Sequence, residues 1–232
     1  IGAASGQLLP QPDPVSGDYY VHIRALDDVG NEAVATFGPY KFDHEPPAAT
    51  FSDAPQASNE PIAVTITADD NLSGVKQMAY RWQGEGDPLI AEQSTVVVTT
   101  PNADGTYTLE VTVTDHAGNT ESYTNGPYTI DLTPPQVNFS KQSDSTPSQI
   151  HSVDISVADQ LVEDAEVFVQ WTEDAAFPED ESSGWQRLHE GPLPWEQTVQ
   201  SPPSADGSLY LHVKALDGLG NIARVSTTGS FV

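Results

Sequence analysis

The sequence predicts an all-β chain of tandem two-sheet sandwiches, with about seven strands to a complete module. Three observations predict it: an internal repeat near 88 residues, two-residue alternation of apolar and polar side chains inside each repeat, and no stretch with helical period. The repeat is exact in spacing over its C-terminal part. Gly17-Asp18-Tyr19-Tyr20-Val21-His22-Ile23 returns 88 residues later as Gly105-Thr106-Tyr107-Thr108-Leu109-Glu110-Val111. Asp27, Gly30 and Asn31 return as Asp115, Gly118 and Asn119, and again as Asp217, Gly220 and Asn221. Gly38-Pro39-Tyr40, Asp43 and Pro46-Pro47 return as Gly126-Pro127-Tyr128, Asp131 and Pro134-Pro135.

The N-terminal part of the unit repeats as well, because Val64, Ile66 and Trp82 match Val153, Ile155 and Trp171 at an offset of 89. These matches divide the chain into a partial module at 1–47, holding only the last strands, a full module at 48–135, and a full module at 136–232 with an insertion near 175–190. The proline pairs are the joints, since proline ends a strand ladder and stiffens a short linker. Inside a module, Ile62-Val64-Ile66, Met78-Tyr80-Trp82, Tyr107-Leu109-Val111-Val113 and Val167-Val169-Trp171 each place apolar residues on one face. That is the pattern of half-buried antiparallel strands. In the partial module the same face, Tyr19, Val21 and Ile23, is expected to lack a covering sheet; truncation or completion by a partner's strand both remain open.

Trp82 and Trp171 resemble the core tryptophan of strand C in immunoglobulin-like sandwiches, and Gly105-x-Tyr107 resembles the tyrosine corner that opens strand F. The cysteine positions of antibody domains are apolar here, Leu109 for one. With its Asp-x-x-Gly-Asn hairpin and the aspartate before Pro-Pro, the chain is similar to the bacterial immunoglobulin-like (Big-type) tandem repeats of surface and secreted proteins. The resemblance implies an extracellular or cell-surface location. It also implies a structural, spacing or adhesion role in a multidomain protein, with neighbouring modules and a cell-surface protein or glycan as partners. A ligand- or carbohydrate-binding accessory region of a secreted hydrolase is the alternative.

The Asp-x-x-Gly-Asn copies read as hairpin turns, because glycine and asparagine tolerate positive φ and the aspartate accepts from backbone amides ahead of it. A second reading follows from the topology of tandem sandwiches, where the B–C and F–G loops of one module face the end of strand G in the module before. Asp43 is then expected near Asp69, Asp70 and Asp115, and Asp131 near Asp159, Asp164 and Asp217. Converging carboxylates repel unless a cation sits between them. Ca2+, which takes about six to eight oxygen ligands, is the expected cofactor if there is one. In the insertion, Trp185, with Trp195 beyond it, forms either a stacking platform for a ligand or a cover over the core.

Composition narrows the partners. With 34 acidic against 8 basic side chains the formal charge is −26, which excludes a nucleic-acid partner, since phosphate needs Lys and Arg to neutralise it. No apolar run long enough to span a bilayer is present, and the absence of cysteine excludes disulfides and thiolate sites. The start at Ile1-Gly2, without a leader pattern, reads as a piece of a longer polypeptide. No nucleophile elbow, His-Glu-x-x-His or phosphate loop appears, and the six histidines are dispersed, so catalysis is not expected. His22 and His212 fall on the polar face of strand F and are expected to be solvent-exposed.

Overall fold

The computed structural model describes residues 15–181, 183–203 and 207–232. Residues 1–14 of the expected first module lie outside the described residues. Among the described residues there are seventeen β-strands, and no helix is long and apolar enough to cross a membrane. The period-two pattern accounts for this directly. Strand after strand alternates a buried aliphatic with a polar neighbour, as in Ala63–Asp69, where Val64, Ile66 and Ala68 are buried and the residues between them are not.

β1 (Gly17–Leu26) and β2 (Glu32–Phe42) form an antiparallel two-stranded sheet. In the middle repeat come β3 (Ala48–Phe51), β4 (Ala57–Ser58), β5 (Ala63–Asp69), β6 (Val75–Trp82), β7 (Leu89–Ala91), β8 (Thr95–Thr99), β9 (Gly105–Asp115) and β10 (Thr120–Ile130). They make a sheet in the order β3-β5-β8 and a sheet in the order β4-β10-β9-β6-β7. The last repeat has β11 (Gln136–Phe139), β12 (Ser152–Ala158), β13 (Asp164–Thr172), β14 (Gln186–Pro192), β15 (Trp195–Gln200), β16 (Tyr210–Asp217) and β17 (Ile222–Ser226). Its sheets run β11-β12-β15 and β14-β13-β16-β17. In the last repeat a three-stranded sheet formed by the first, second and fifth strands, facing one built on the third and the last two, is the immunoglobulin-like sandwich arrangement, and the middle repeat follows it with the short β4 added.

The chain packs as two compact units. One holds residues 15–53, Val64–Val98 and Thr108–Asn125; the other holds Ala54–Ala63, Thr99–Tyr107 and Gly126–Val232. The core of the first unit is Val64, Ile66 and Ala68 from β5, Met78 from β6, and Leu109, Val111 and Val113 from β9, all fully or nearly fully buried. Burying each of the larger side chains is worth about 1.5–3 kcal/mol, so this alternation alone fixes which face of β9 points inward. On β1, Ile23 occupies the position of Val111 yet is 49 % exposed, and Phe37 and Tyr40 on β2 are as open. The core of the second unit is Val153, Ile155 and Val157 from β12, Val167 and Val169 from β13, Leu211, Val213 and Ala215 from β16, and Phe231. Trp171 packs edge-on against Phe231 at 5.4 Å.

The tyrosine corner is present in both copies that carry the tyrosine. The Tyr19 hydroxyl donates to the Val15 carbonyl at 2.9 Å, and the Tyr107 hydroxyl to the Ala103 carbonyl at 3.0 Å. Gly126 has φ +118°, and a Cβ there would lie 2.9 Å from the Tyr107 carbonyl oxygen; glycine is required on both counts.

Candidate functional site

Each F–G turn is held by one aspartate. Asp115 Oδ1 accepts from the amides of Gly118 at 2.6 Å and Asn119 at 2.8 Å, while its Oδ2 accepts from Asn119 Nδ2 at 2.7 Å. Asp217 does the same with Leu219 N (2.8 Å), Asn221 N (2.9 Å) and Asn221 Nδ2 (2.7 Å), and Asp27 with Val29 N, Asn31 N and Asn31 Nδ2. The glycines take φ of +93°, +99° and +94°, as the turn requires. Asp115 and Asp217 are buried, and these charge-assisted bonds keep the buried carboxylates satisfied.

The asparagines also reach outward from their turns. Asn119 Nδ2 donates to the Asp43 carbonyl at 3.1 Å and the Glu45 carbonyl at 3.2 Å; Asn221 Nδ2 donates to the Asp131 carbonyl at 2.8 Å. This locks the F–G turn of one repeat onto the strand end of the repeat before it, and brings three carboxylates together each time. Asp43, Asp70 and Asp115 each place an oxygen within 4.8 Å of the others', and so do Asp131, Asp159 and Asp217. Oxygens that close can all touch one cation, because two ligands of a calcium ion lie at most about 5 Å apart. Of the remaining residues expected at these joints, Asp69 and Asp164 stay outside both clusters. Each directly adjoins a buried strand residue, Ala68 and Ala165, so strand alternation turns it out to solvent.

The two joints differ in how their first aspartate is satisfied. Asp43 Oδ2 accepts from Ser73 N at 3.0 Å and Oδ1 from Glu45 N at 3.0 Å; bonding to the Ser73 side chain holds its carboxyl below the usual range. Asp131 is 1 % exposed, its Oδ1 accepts from Thr133 N at 3.1 Å, and its Oδ2 has no hydrogen-bond partner among the described residues. Burial pushes its pKa up, and the neighbouring Asp159, Asp217 and Asp104 push it further the same way. Leaving such an oxygen buried and unpaired costs about 1–3 kcal/mol or more. Asp104 is a member of the second joint that sequence reasoning missed. It accepts from Leu132 N at 2.6 Å and from the Thr133 hydroxyl, and it lines an open cleft of about 810 Å³ together with Asp131 and Asp159. Its signal was in the repeat: it stands where the partial module has Ser16, whose hydroxyl accepts from His44 N at 3.0 Å.

The structure does not bring Trp185 and Trp195 into one platform. Trp195 lies on β15, opposite Val157, with His189 stacked on it at 5.2 Å. Trp185 packs over the other sheet, with the Lys214 ammonium 5.1 Å from its ring centroid, Phe177 at 5.3 Å, and its indole N–H donated to the Glu179 carbonyl at 3.0 Å. The insertion is pinned there by Asp180, which pairs with Arg224 and with Lys214. This corrects the expectation for His212. Phe177 and the Thr172–Asp174 segment cover its ring, so it is fully buried, bonded to Ser226 Oγ at 2.6 Å and Thr172 Oγ1 at 2.8 Å, and burial lowers its pKa. His22 at the equivalent place is exposed, as expected.

Sheet order, tyrosine corners and asparagine-locked turns define immunoglobulin-like β-sandwiches in series. Residues 63–132 match the family described as Bacterial Ig-like domain. No curated protein matches the sequence. Among solved structures the chain is similar to fibronectin(III)-like modules of CbhA from Clostridium thermocellum, at 13 % identity over 79 % of this chain and 93 % of that one, with a TM-score of 0.36. It is also similar to domains of titin (16 % identity, 93 % and 73 % covered, TM-score 0.38). A third likeness is to carbohydrate-binding modules of the β-sandwich superfamily (11 % identity, 79 % and 96 % covered, TM-score 0.34). These likenesses concern the fold alone.

Proposed function

We propose that this chain is a non-catalytic structural segment of a bacterial surface or secreted multidomain protein, a spacer whose joints are held in defined orientation and stiffened by calcium at their acidic clusters. One observation carries the reading: the same joint is built twice, with Asn119 and Asn221 each bonding the backbone carbonyl at the end of the preceding repeat. A hinge meant to swing has no use for a turn built on a buried aspartate and locked to its neighbour by a side-chain amide, whereas a spacer does. Converging carboxylates at each joint support the calcium component, and the resemblance to surface and secreted repeats supports the extracellular setting.

Small-angle scattering of the parent chain and of the Asn119→Ala/Asn221→Ala double variant tests the spacer. The parent is expected to scatter as one conformation, and the variant to require a distribution of joint angles while its melting profile keeps the same transitions. A parent already as variable as the double variant overturns the proposal.

A further inference from the structure

We infer that the cation demand of this chain is unequal: the second joint, at Asp131, Asp159 and Asp217, holds one divalent oxygen-seeking cation of the calcium type, while the first, at Asp43, Asp70 and Asp115, is completed by its own protein groups. The inference rests on the proposed structural role of the joints and says which of them depends on the ion.

Repeat-equivalent residues differ between the two joints. Ser73 stands where the last repeat has Val162. In the first joint the Ser73 amide and side chain both serve Asp43. In the second, valine has no hydroxyl, and the Val162 amide is given to Asp159 at 3.1 Å instead. Asp131 Oδ2 is thereby left without a partner, inside a residue that is 99 % removed from solvent and clustered with two more carboxylates. Ser16 is replaced by Asp104, which caps the equivalent amide but adds a fourth negative charge beside Asp131.

The basic residues differ in the same direction. The cleft at the first joint, about 400 Å³, is lined by Lys41 and His116 as well as Asp43 and Asp18, the last paired with Lys41 at 3.3 Å. Repeat-equivalent positions in the second carry Thr129 and Gly218, and none of the residues lining its cleft is basic. Both joints hold carboxylates at a spacing one cation can bridge. Only the second combines that spacing with an unpaired buried acceptor, an additional aspartate and no cation of its own. A buried charge in such a place is paired or coordinates a metal. The donors are all oxygen and the cleft is open to water, which suits calcium rather than a thiolate- or imidazole-seeking metal.

The test is isothermal titration of the chelator-treated full chain with calcium chloride, with zinc chloride as a second probe. One equivalent of calcium is expected to bind, weakened at least about tenfold by Asp131→Asn or Asp159→Asn, the scale on which metal sites lose affinity when their coordination is disturbed. Asp43→Asn is expected to leave that equivalent unchanged, and Val162→Ser to weaken it by supplying Asp131 with a protein donor. Circular-dichroism melting of each variant establishes that it is folded. Two equal equivalents, or a single one lost in Asp43→Asn and kept in Asp131→Asn, overturn the inference while leaving calcium in the joints. The absence of any heat overturns both the inference and the calcium component of the proposed function; the spacer role is then judged by the asparagine variants alone.

Discussion

The two units carry the same joint, one in each, and solve its electrostatics differently. In the first, Asp43 is wrapped by amides and a serine side chain, and Lys41 and His116 line the neighbouring cleft. In the second, the same carboxylate is sealed from solvent, half unsatisfied, and joined by Asp104. A satisfied strand-end carboxylate and a half-unsatisfied one are thus separated by a few side chains on one backbone plan. Tandem repeats keep the backbone hydrogen bonds of a joint and let its charges vary, because the former are fixed by the Asp-x-x-Gly-Asn turn and the latter by residues around it.

The turn itself is where the two units are expected to agree, and where the largest effects lie. Asp115→Ala and Asp217→Ala each remove a buried acceptor of three hydrogen bonds and leave the turn's amides without it. Each is expected to lower stability by about 3 kcal/mol in urea unfolding followed by tryptophan fluorescence. Asp27→Ala removes the same bonds from an exposed turn and is expected to cost less. If only one of the two buried aspartates matters, the shared plan is not what holds both joints.

The difference between the joints is sharpest at the strand-end aspartate. In chelator, Asp131→Asn removes a buried charge held among like charges and is expected to stabilise by roughly 1 kcal/mol, an unusual sign for a substitution at a buried site. Asp43→Asn breaks a satisfied carboxylate and is expected to destabilise. Excess calcium is expected to reverse the order of parent and Asp131→Asn in thermal melts, and to leave Asp43→Asn below the parent. Equal responses of the two variants would erase the distinction.

A second contrast lies on the outer face of the strand that carries His22 in the first unit and His212 in the second. His22 is open to solvent and bonds Thr36 Oγ1 at 3.0 Å, whereas His212 is sealed under the insertion. Since burial depresses the His212 pKa, the folded state keeps the ring neutral while the unfolded chain begins to protonate near pH 6.5. Its contribution is therefore present above that pH and lost as the pH falls below it toward the folded value. Urea midpoints measured from pH 8 to 5 are expected to fall, and His212→Gln or Phe177→Ala, which removes or uncovers the ring, is expected to flatten that fall.

How far the sequence could be read follows from what each feature depends on. Strand faces, repeat spacing and tyrosine corners depend on local periodicity and on glycine's reach into positive φ, so they were legible at Leu109, Gly105 and Tyr107. Asp43, Asp70 and Asp115 were legible as neighbours because loop order in a tandem sandwich is fixed by topology. Asp69 was not separable from Asp70, since a one-residue step on a strand decides which way a carboxylate faces. The burial of His212 was invisible because it depends on the path of the insertion, which Asp180 sets by pairing with Arg224 and Lys214 far along the chain. Asp104 was visible only as a substitution for Ser16, with nothing local to mark it as part of a cluster.

The smallest expected effect isolates the cause most cleanly. Ser73→Val and Val162→Ser exchange the one side chain that distinguishes how the two strand-end aspartates are satisfied, without altering any charge. In chelator, Val162→Ser offers a donor to the unpaired Asp131 oxygen and is expected to stabilise by about 0.5–1 kcal/mol, the usual net worth of a hydrogen bond to a group otherwise left unsatisfied. Ser73→Val is expected to destabilise by a similar amount. With saturating calcium the benefit of Val162→Ser should vanish, because the ion already occupies the lone pair the hydroxyl would serve. The double exchange then makes the first joint the calcium-responsive one in thermal melts only if the serine alone sets the contrast. If the second joint still responds more strongly, Asp104 and the loss of Lys41 and His116 equivalents carry the difference, and Asp104→Ser becomes the variant that should level the two.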